Sequence, residues 1–368
     1  MRMKLAEVPL FLSRMRADPA AWSGFAHRPG PDGQDLNALA RRACLLGLQL
    51  DRGGNDRDLV LYLLDQEILA CRASSGSGGL GAAVFLAAEL DDPSIAWRIM
   101  AAKHANFDAS FTIDVEALYS CGVERTLAML QTSAHPDSGD FPPAPRQEEV
   151  DQWWAYQRSS FPSRWEDEPD KVGKCEEIGD REAAANYLRQ ELEEAMAGVE
   201  RGGAEEQERL VAASYQWSAL GRADEAARLQ VRIDEFLPEI PWDRAAALRR
   251  ALEIYVAAEE FQKAVSMVAP LYAALMQVDQ WRDVGLGRMS ADAMADLATI
   301  TPDEATAAHV FSILEELIAQ GLKAPLALRE KLVALAARLR PDRAAHYRNM
   351  AEAERHRISI ERSFPGSG

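Results

Sequence analysis

Between Leu210 and Pro238 the chain reads as two antiparallel helices joined at Gly221, and a second such pair follows, ending near Met276. No other feature narrows the fold as far. Apolar residues recur at three- and four-residue spacing on either side of a glycine suited to ending a helix, the pattern of a helical hairpin rather than of paired strands. The expected fold class is therefore all-α, an irregular α-solenoid of helix-turn-helix hairpins. Stacked hairpins make surfaces, and surfaces alone do not name a reaction.

The rest of the chain repeats the theme in shorter pieces. Residues 1–33 end in His27-Arg28-Pro29-Gly30-Pro31-Asp32-Gly33, a run whose prolines and glycines interrupt any helix. Leu36, Leu39, Ala40, Ala43 and Leu50 then keep helical spacing, followed by a stripe of Leu61, Leu64, Ile68 and Cys71. Asp92-Pro93 supplies a cap with proline at the first helical position. From Ala134 to Asp180 the composition shifts to proline, acid and tryptophan, with Trp153, Trp154, Tyr156, Phe161 and Trp165 too large to be left wholly in water. These aromatics are expected to pack across the junction of two helical halves. The domains read as 1–133, N-terminal and helical; 134–180, a connecting segment; 181–359, C-terminal and helical; and 360–368, a tail. Thr301-Pro302-Asp303-Glu304 reads as a helix start with Thr301 as the cap.

At 368 residues and 48% hydrophobic, the chain exceeds the length at which a single core usually splits. Its net charge of −17 repels phosphate backbones and anionic headgroups, and no long Lys/Arg run offsets it, so neither nucleic acid nor membrane is an expected partner. Cys44, Cys71, Cys121 and Cys175 lie far apart, without metal-site or redox spacing, and read as buried thiols of a reducing compartment. The basic start Met1-Arg2-Met3-Lys4 leads into a segment broken by Glu7 and Pro9, a poor signal peptide, and no stretch approaches the roughly 18 apolar residues of a membrane span. A cytoplasmic location is expected.

Laid on a helix-turn-helix repeat of roughly 34 residues, the region 179–276 resembles the tetratricopeptide family. Leu210, Ala213, Ser214 and Trp217 match the first helix, Gly221 the turn, Ala226 the small residue where helices touch and Pro238 the closing proline. A second unit, offset by 38 residues from Ala226 to Ala264, places Leu248, Ala251, Leu252 and Tyr255 in its first helix and Phe261 in its second. Gly179 and Ala184 mark an earlier, degenerate unit. Glu259 departs from the pattern by standing where the turn usually has glycine, and the uneven spacing is a second departure. The resemblance covers a quarter to a third of the chain. It implies that first helices line a concave face, with Glu208, Tyr215, Arg249 and Glu253 as outward positions able to meet a partner.

Catalytic patterns fail on context. Gly76-Ser77-Gly78-Gly79-Leu80-Gly81 matches a dinucleotide fingerprint literally, but the segment before it reads as helix and the acidic residue expected about twenty positions on is missing. Asp91-Asp92 reads as a helix cap, and Glu166-Asp167-Glu168-Pro169-Asp170 is interrupted by proline, so neither forms an aspartate-rich metal site. The six histidines make no paired metal motif. No cofactor and no enzymatic activity are expected. The function expected is recognition of a protein or peptide through a helical concave surface, the partner being basic if charge steers it. Two alternatives stand beside it: an acidic bacterial immunity or antitoxin-like protein neutralising a basic toxin, and a helical enzyme whose site is assembled from residues distant in sequence.

Overall fold

The computed structural model describes residues 3–31, 33–53, 55–73, 78–135, 139–197, 199 and 201–363, the side chains of 361–363 excepted. The described residues form helices and turns with no strand, apart from an isolated antiparallel bridge between Pro29 and Asp35. Among them no helix is long and apolar enough to cross a membrane. The chain divides into two compact units, 1–189 and 190–368.

The first unit begins earlier than the Pro/Gly run suggested, with α1 (Val8–Ala17). Pro9 opens this helix instead of breaking it, because a first-turn residue needs no intrahelical N–H partner. Next come α2 (Ala38–Leu50), α3 (Arg57–Ala73), α4 (Leu80–Ala88), α5 (Ala96–Lys103), α6 (Phe107–Thr112), α7 (Val115–Leu118), α8 (Val123–Thr132), α9 (Gln147–Ser160) and α10 (Lys171–Ile178). Gly47 lets α1 and α2 touch closely: a Cβ there would stand 3.2 Å from both Leu12 Cβ and Val8 Cγ1. The core gathers Leu45, Leu48, Leu63, Leu64, Phe85 and Ile99, all fully buried. Trp153 and Val150 join that same core, and the rings of Trp154 and Phe161 lie on Phe85. The aromatic segment expected at a junction is therefore part of the first unit's own packing, with Tyr156 alone among its named aromatics left 66% exposed. The division between units falls within α11 (Arg181–Met196), which follows the left-handed Gly179 and buries Ala184 completely.

The second unit is four helical pairs: α12 (Ala204–Ala219) with α13 (Ala223–Ile233), α14 (Pro241–Ala257) with α15 (Phe261–Leu275), α16 (Gly285–Ile300) with α17 (Glu304–Ala319), and α18 (Leu326–Leu339) with α19 (Ala344–Ser363). Successive pairs also touch, α14 packing on α16 and α16 on α18. Ala226 and Ala264 have no exposed surface, as expected of small residues where two helices cross. Gly221 turns at φ +73°, and Glu259 adopts φ +57° at the corresponding turn. A left-handed glutamate costs roughly 1–2 kcal/mol that a glycine would avoid.

The cap of α17 is Asp303, whose carboxylate accepts from the Thr306 N–H at 2.9 Å. Thr301 is engaged elsewhere, its N–H closing α16 on the Leu297 carbonyl, so proline precedes the cap instead of sitting in the first turn. The final helix runs to Ser363, past the tail boundary at 360, while 364–368 lie outside the described residues.

Candidate functional site

The hairpin registers decide which side chains reach solvent. Leu210, Ala213, Ser214 and Trp217 of α12 are buried, as are Leu248, Ala251, Leu252 and Tyr255 of α14. Tyr255 completes its burial by donating its hydroxyl proton to Asp234 Oδ2 at 2.6 Å. Burial and then that hydrogen bond drive the phenol far above the usual tyrosine range, which keeps it protonated and structural. The opposite stripe stays in water: Glu208 and Tyr215 on α12, Glu253 on α14.

Of the four outward positions expected from the resemblance, three are exposed. Glu208 lines an open groove of about 370 Å³ together with Val211, Pro238 and Arg250. Tyr215 is 52% exposed and is held by Arg250, whose Nη1 donates to the tyrosine hydroxyl at 3.1 Å and whose guanidinium carbon lies 5.2 Å from the ring centroid. Such a stacked cation contributes about 0.5–1 kcal/mol. Glu253 stands at the mouth of a second cleft. Arg249 is the correction. Its side chain is only 14% exposed, and its Nη1 donates to Glu253 Oε1 one turn along the same helix. It borders the buried stripe beside Leu248, so it is not an outward position, and it is tied to Glu253.

The second cleft holds about 680 Å³ at the end of the hairpins where α14 and α16 terminate. Val256, Phe261 and Ile300 supply apolar lining, and Glu253, Glu259 and Asp296 supply carboxylates. An adjoining lobe of about 390 Å³ shares Glu259, Phe261 and Pro302 and continues to Asp303. Asp296 and its neighbour Asp292 both hold Lys331 of α18, at 2.6 and 2.8 Å. Partial burial would by itself lower the Lys331 pKa, but these two bonds carry it above the ordinary lysine value. Glu259 forms no ion pair among the described residues, although it pairs the most strained backbone in the cleft with an exposed side chain.

Sequence reasoning missed Arg250, Asp296 and Ile300. A signal existed for the first: the 38-residue offset superposes Tyr215 on Glu253, so the residues one turn earlier, 249 and 250, were the ones able to reach back to it. For α16 the sequence offers no such signal, because the repeat resemblance ends at Met276.

The acidic runs of the first unit serve structure. Asp92 caps Pro93–Ile95 through the Ser94 N–H at 2.9 Å and pairs with Arg57. Glu168 is buried, accepting from Gln49 Nε2 at 3.0 Å, and Asp170 caps α10 through the Gly173 N–H at 2.8 Å. The glycine run leads from helix α3 into α4, its first residues 74–77 lying outside the described residues. Burial pushes the Cys44 and Cys175 thiols up to about 12. Both are thus protonated and inaccessible at neutral pH, as Cys71 is inaccessible, whereas Cys121 is half-buried. Thiol labelling followed by peptide mass spectrometry is therefore expected to modify Cys121 first, with Cys44, Cys71 and Cys175 reacting only as the protein unfolds. Rapid native labelling at Cys44 would contradict the packing of α2.

No family model matches this chain, and no curated protein or solved structure is significantly similar to it.

Proposed function

We propose that the protein is a recognition scaffold, its second unit acting as a tetratricopeptide-like solenoid that binds a protein or peptide partner along α12, α14 and α16. The observation that carries this reading is the exposed pair Tyr215 and Glu253, with the part-buried Arg250 stacked on Tyr215 and the cleft beyond Glu253. Rigid paired helices hold these groups in place, so little ordering cost falls on binding. A half-exposed tyrosine under an arginine is the kind of anchor that concentrates interface energy. The Nε of Arg250 is buried without an acceptor, so a partner carbonyl or carboxylate that draws the guanidinium outward restores a hydrogen bond missing in the free protein.

The net charge of −17 favours a basic partner and raises its association rate at low salt. Neutralisation of a basic toxin is the special case in which that partner is an enzyme silenced by the complex. The test is affinity capture from host lysate at low and high salt, comparing the full chain with a variant carrying Tyr215→Ala, Arg250→Ala and Glu253→Ala together. One stoichiometric partner retained by the parent and lost by the variant, with the helical circular dichroism unchanged, is the expected result. Equal retention by both proteins would remove this face from the interaction. A co-purifying small molecule in place of any protein would favour the helical enzyme.

A further inference from the structure

We infer that the cleft at the ends of α14 and α16 seats an arginine or lysine side chain of the partner, its aliphatic stem on the apolar lining and its cation among Glu253, Glu259 and Asp296. This rests on the recognition reading and specifies what one part of the face selects.

Charge is the first argument. The lining of the larger lobe contains these three carboxylates and no lysine or arginine. The cations nearest in the hydrogen-bond network, Arg249 and Lys331, are each committed to an acid, Arg249 to Glu253 and Lys331 to Asp292 and Asp296. Glu259 has no such partner, so the three acids hold more negative charge than their neighbours offset. Even the smaller lobe places Glu260 and Asp303 beside a single cation, Lys263, which is itself paired with Glu260. Backbone polarity does not decide the sign: α14 and α16 end at the lining residues Ala257 and Ile300, with Arg338 already donating to the Ala298 and Thr299 carbonyls, while α15 begins at the lining residue Phe261, so the carboxylates carry the charge argument.

Shape is the second argument. A bare ion needs no apolar wall, yet Ile300 is 45% exposed against the cleft, and Val256 and Phe261 add to it. A cation on an apolar stem uses both features, since long basic side chains bury their methylenes and keep the charge at a polar rim. The volume of about 680 Å³ admits such a side chain with an apolar neighbour. The strain at Glu259 fits this use. Glycine would suit its φ of +57° better, and glycine would remove the one carboxylate that is not already paired.

The test uses the full chain and a short capped, fluorescein-labelled peptide with a central arginine between leucines, read by fluorescence polarisation, beside a twin carrying neutral citrulline at the same place. Citrulline keeps the shape and removes the charge. The arginine peptide is expected to bind on the order of tenfold more tightly than its twin, the difference shrinking as salt is raised. Glu259→Gly and Glu259→Gln are each expected to reduce the arginine peptide to the level of the citrulline one, with Glu259→Gly melting no lower than the parent. Glu330→Gln, on α18 outside the cleft, should change nothing. Equal binding of the two peptides, parent-like binding by both Glu259 variants, or spermidine binding where neither peptide does would each overturn the inference. Capture lost with Tyr215→Ala and Arg250→Ala alone, Glu253 being kept, would survive any of those outcomes, so loss of the cation site and loss of the scaffold reading are separately visible.

Discussion

Replacing Arg41 with alanine is expected to destabilise the first unit by about 3–5 kcal/mol, the range for breaking a buried ion pair from one side. Arg41 has no exposed surface although it carries a permanent charge. Its Nε donates to Glu67 Oε1 at 2.6 Å, its Nη1 to the Phe25 carbonyl at 3.2 Å, and its Nη2 to Asp35. Glu67 is 1% exposed, so alanine leaves a buried carboxylate with its other contacts but without the cation it faces. For a unit of 189 residues this corresponds to a fall of roughly 6–20 °C in melting temperature. The double change Arg41→Met and Glu67→Leu is expected to recover the Glu67 part of the loss, because an apolar pair avoids those two desolvation costs, while Asp35 still lacks its cation. Urea titrations of the parent and the two variants measure this. A loss below about 1 kcal/mol for Arg41→Ala would mean the network contributes no more than a surface pair.

The same network carries a pH signature. Burial alone would raise the Asp35 pKa, but hydrogen bonds from Arg41, the Asn37 N–H, His27 and the Arg28 N–H bring it far below its ordinary 3.8. A folded-state pKa below the unfolded one contributes stability that is complete above the unfolded value and is lost as pH falls from there toward the folded value. Arg41→Ala removes the main counterweight in advance. The stability gap between parent and variant should therefore be widest near neutrality and narrow once pH drops below about 3.8.

The paired helices of residues 210–276 were legible because close crossings demand small residues and tight turns demand left-handed ones, and Ala226, Ala264 and Gly221 meet both demands locally. Glu259 satisfied the turn without the expected residue type, so the hairpin was readable while its strain was not. The α17 start was displaced by two residues because Thr301 and Asp303 are both competent caps, and only the ending of α16 decides between them. The aromatics from Trp153 to Phe161 announced burial without naming the surface that buries them, since nothing local to them specifies Phe85. The cleft was the least readable feature. Its walls come from residues 253–261 and 293–302, which become neighbours only when one hairpin stacks on the next, and the second hairpin lacks a glycine at the start of its return helix to announce it.

Gly287→Ala is expected to destabilise the second unit by about 2–3 kcal/mol, against the sign of helix propensity. In a helix interior alanine gains about 1 kcal/mol over glycine, and at Gly287, third residue of α16, the propensity sign is the same though the gain is smaller. Here an added Cβ would stand 2.1 Å from the Trp281 carbonyl oxygen and 3.0 Å from Trp281 Cε3. The oxygen belongs to the backbone and cannot rotate aside, and Trp281 is only 3% exposed, so either the preceding turn or α16 itself must move. Gly285→Ala supplies the internal comparison: it lies on the same helix, two residues away, and its Cβ would meet nothing within 4 Å. That variant should be neutral or slightly stabilising. Because α16 packs on both α14 and α18 and carries Asp296 and Ile300 into the cleft, a shift at Gly287 is expected to weaken arginine-peptide binding as well as stability, whereas Gly285→Ala should leave both intact. Parent-like stability of Gly287→Ala would mean the Trp281 turn yields at little cost, and α16 would then lack the fixed seat that the acidic cleft requires.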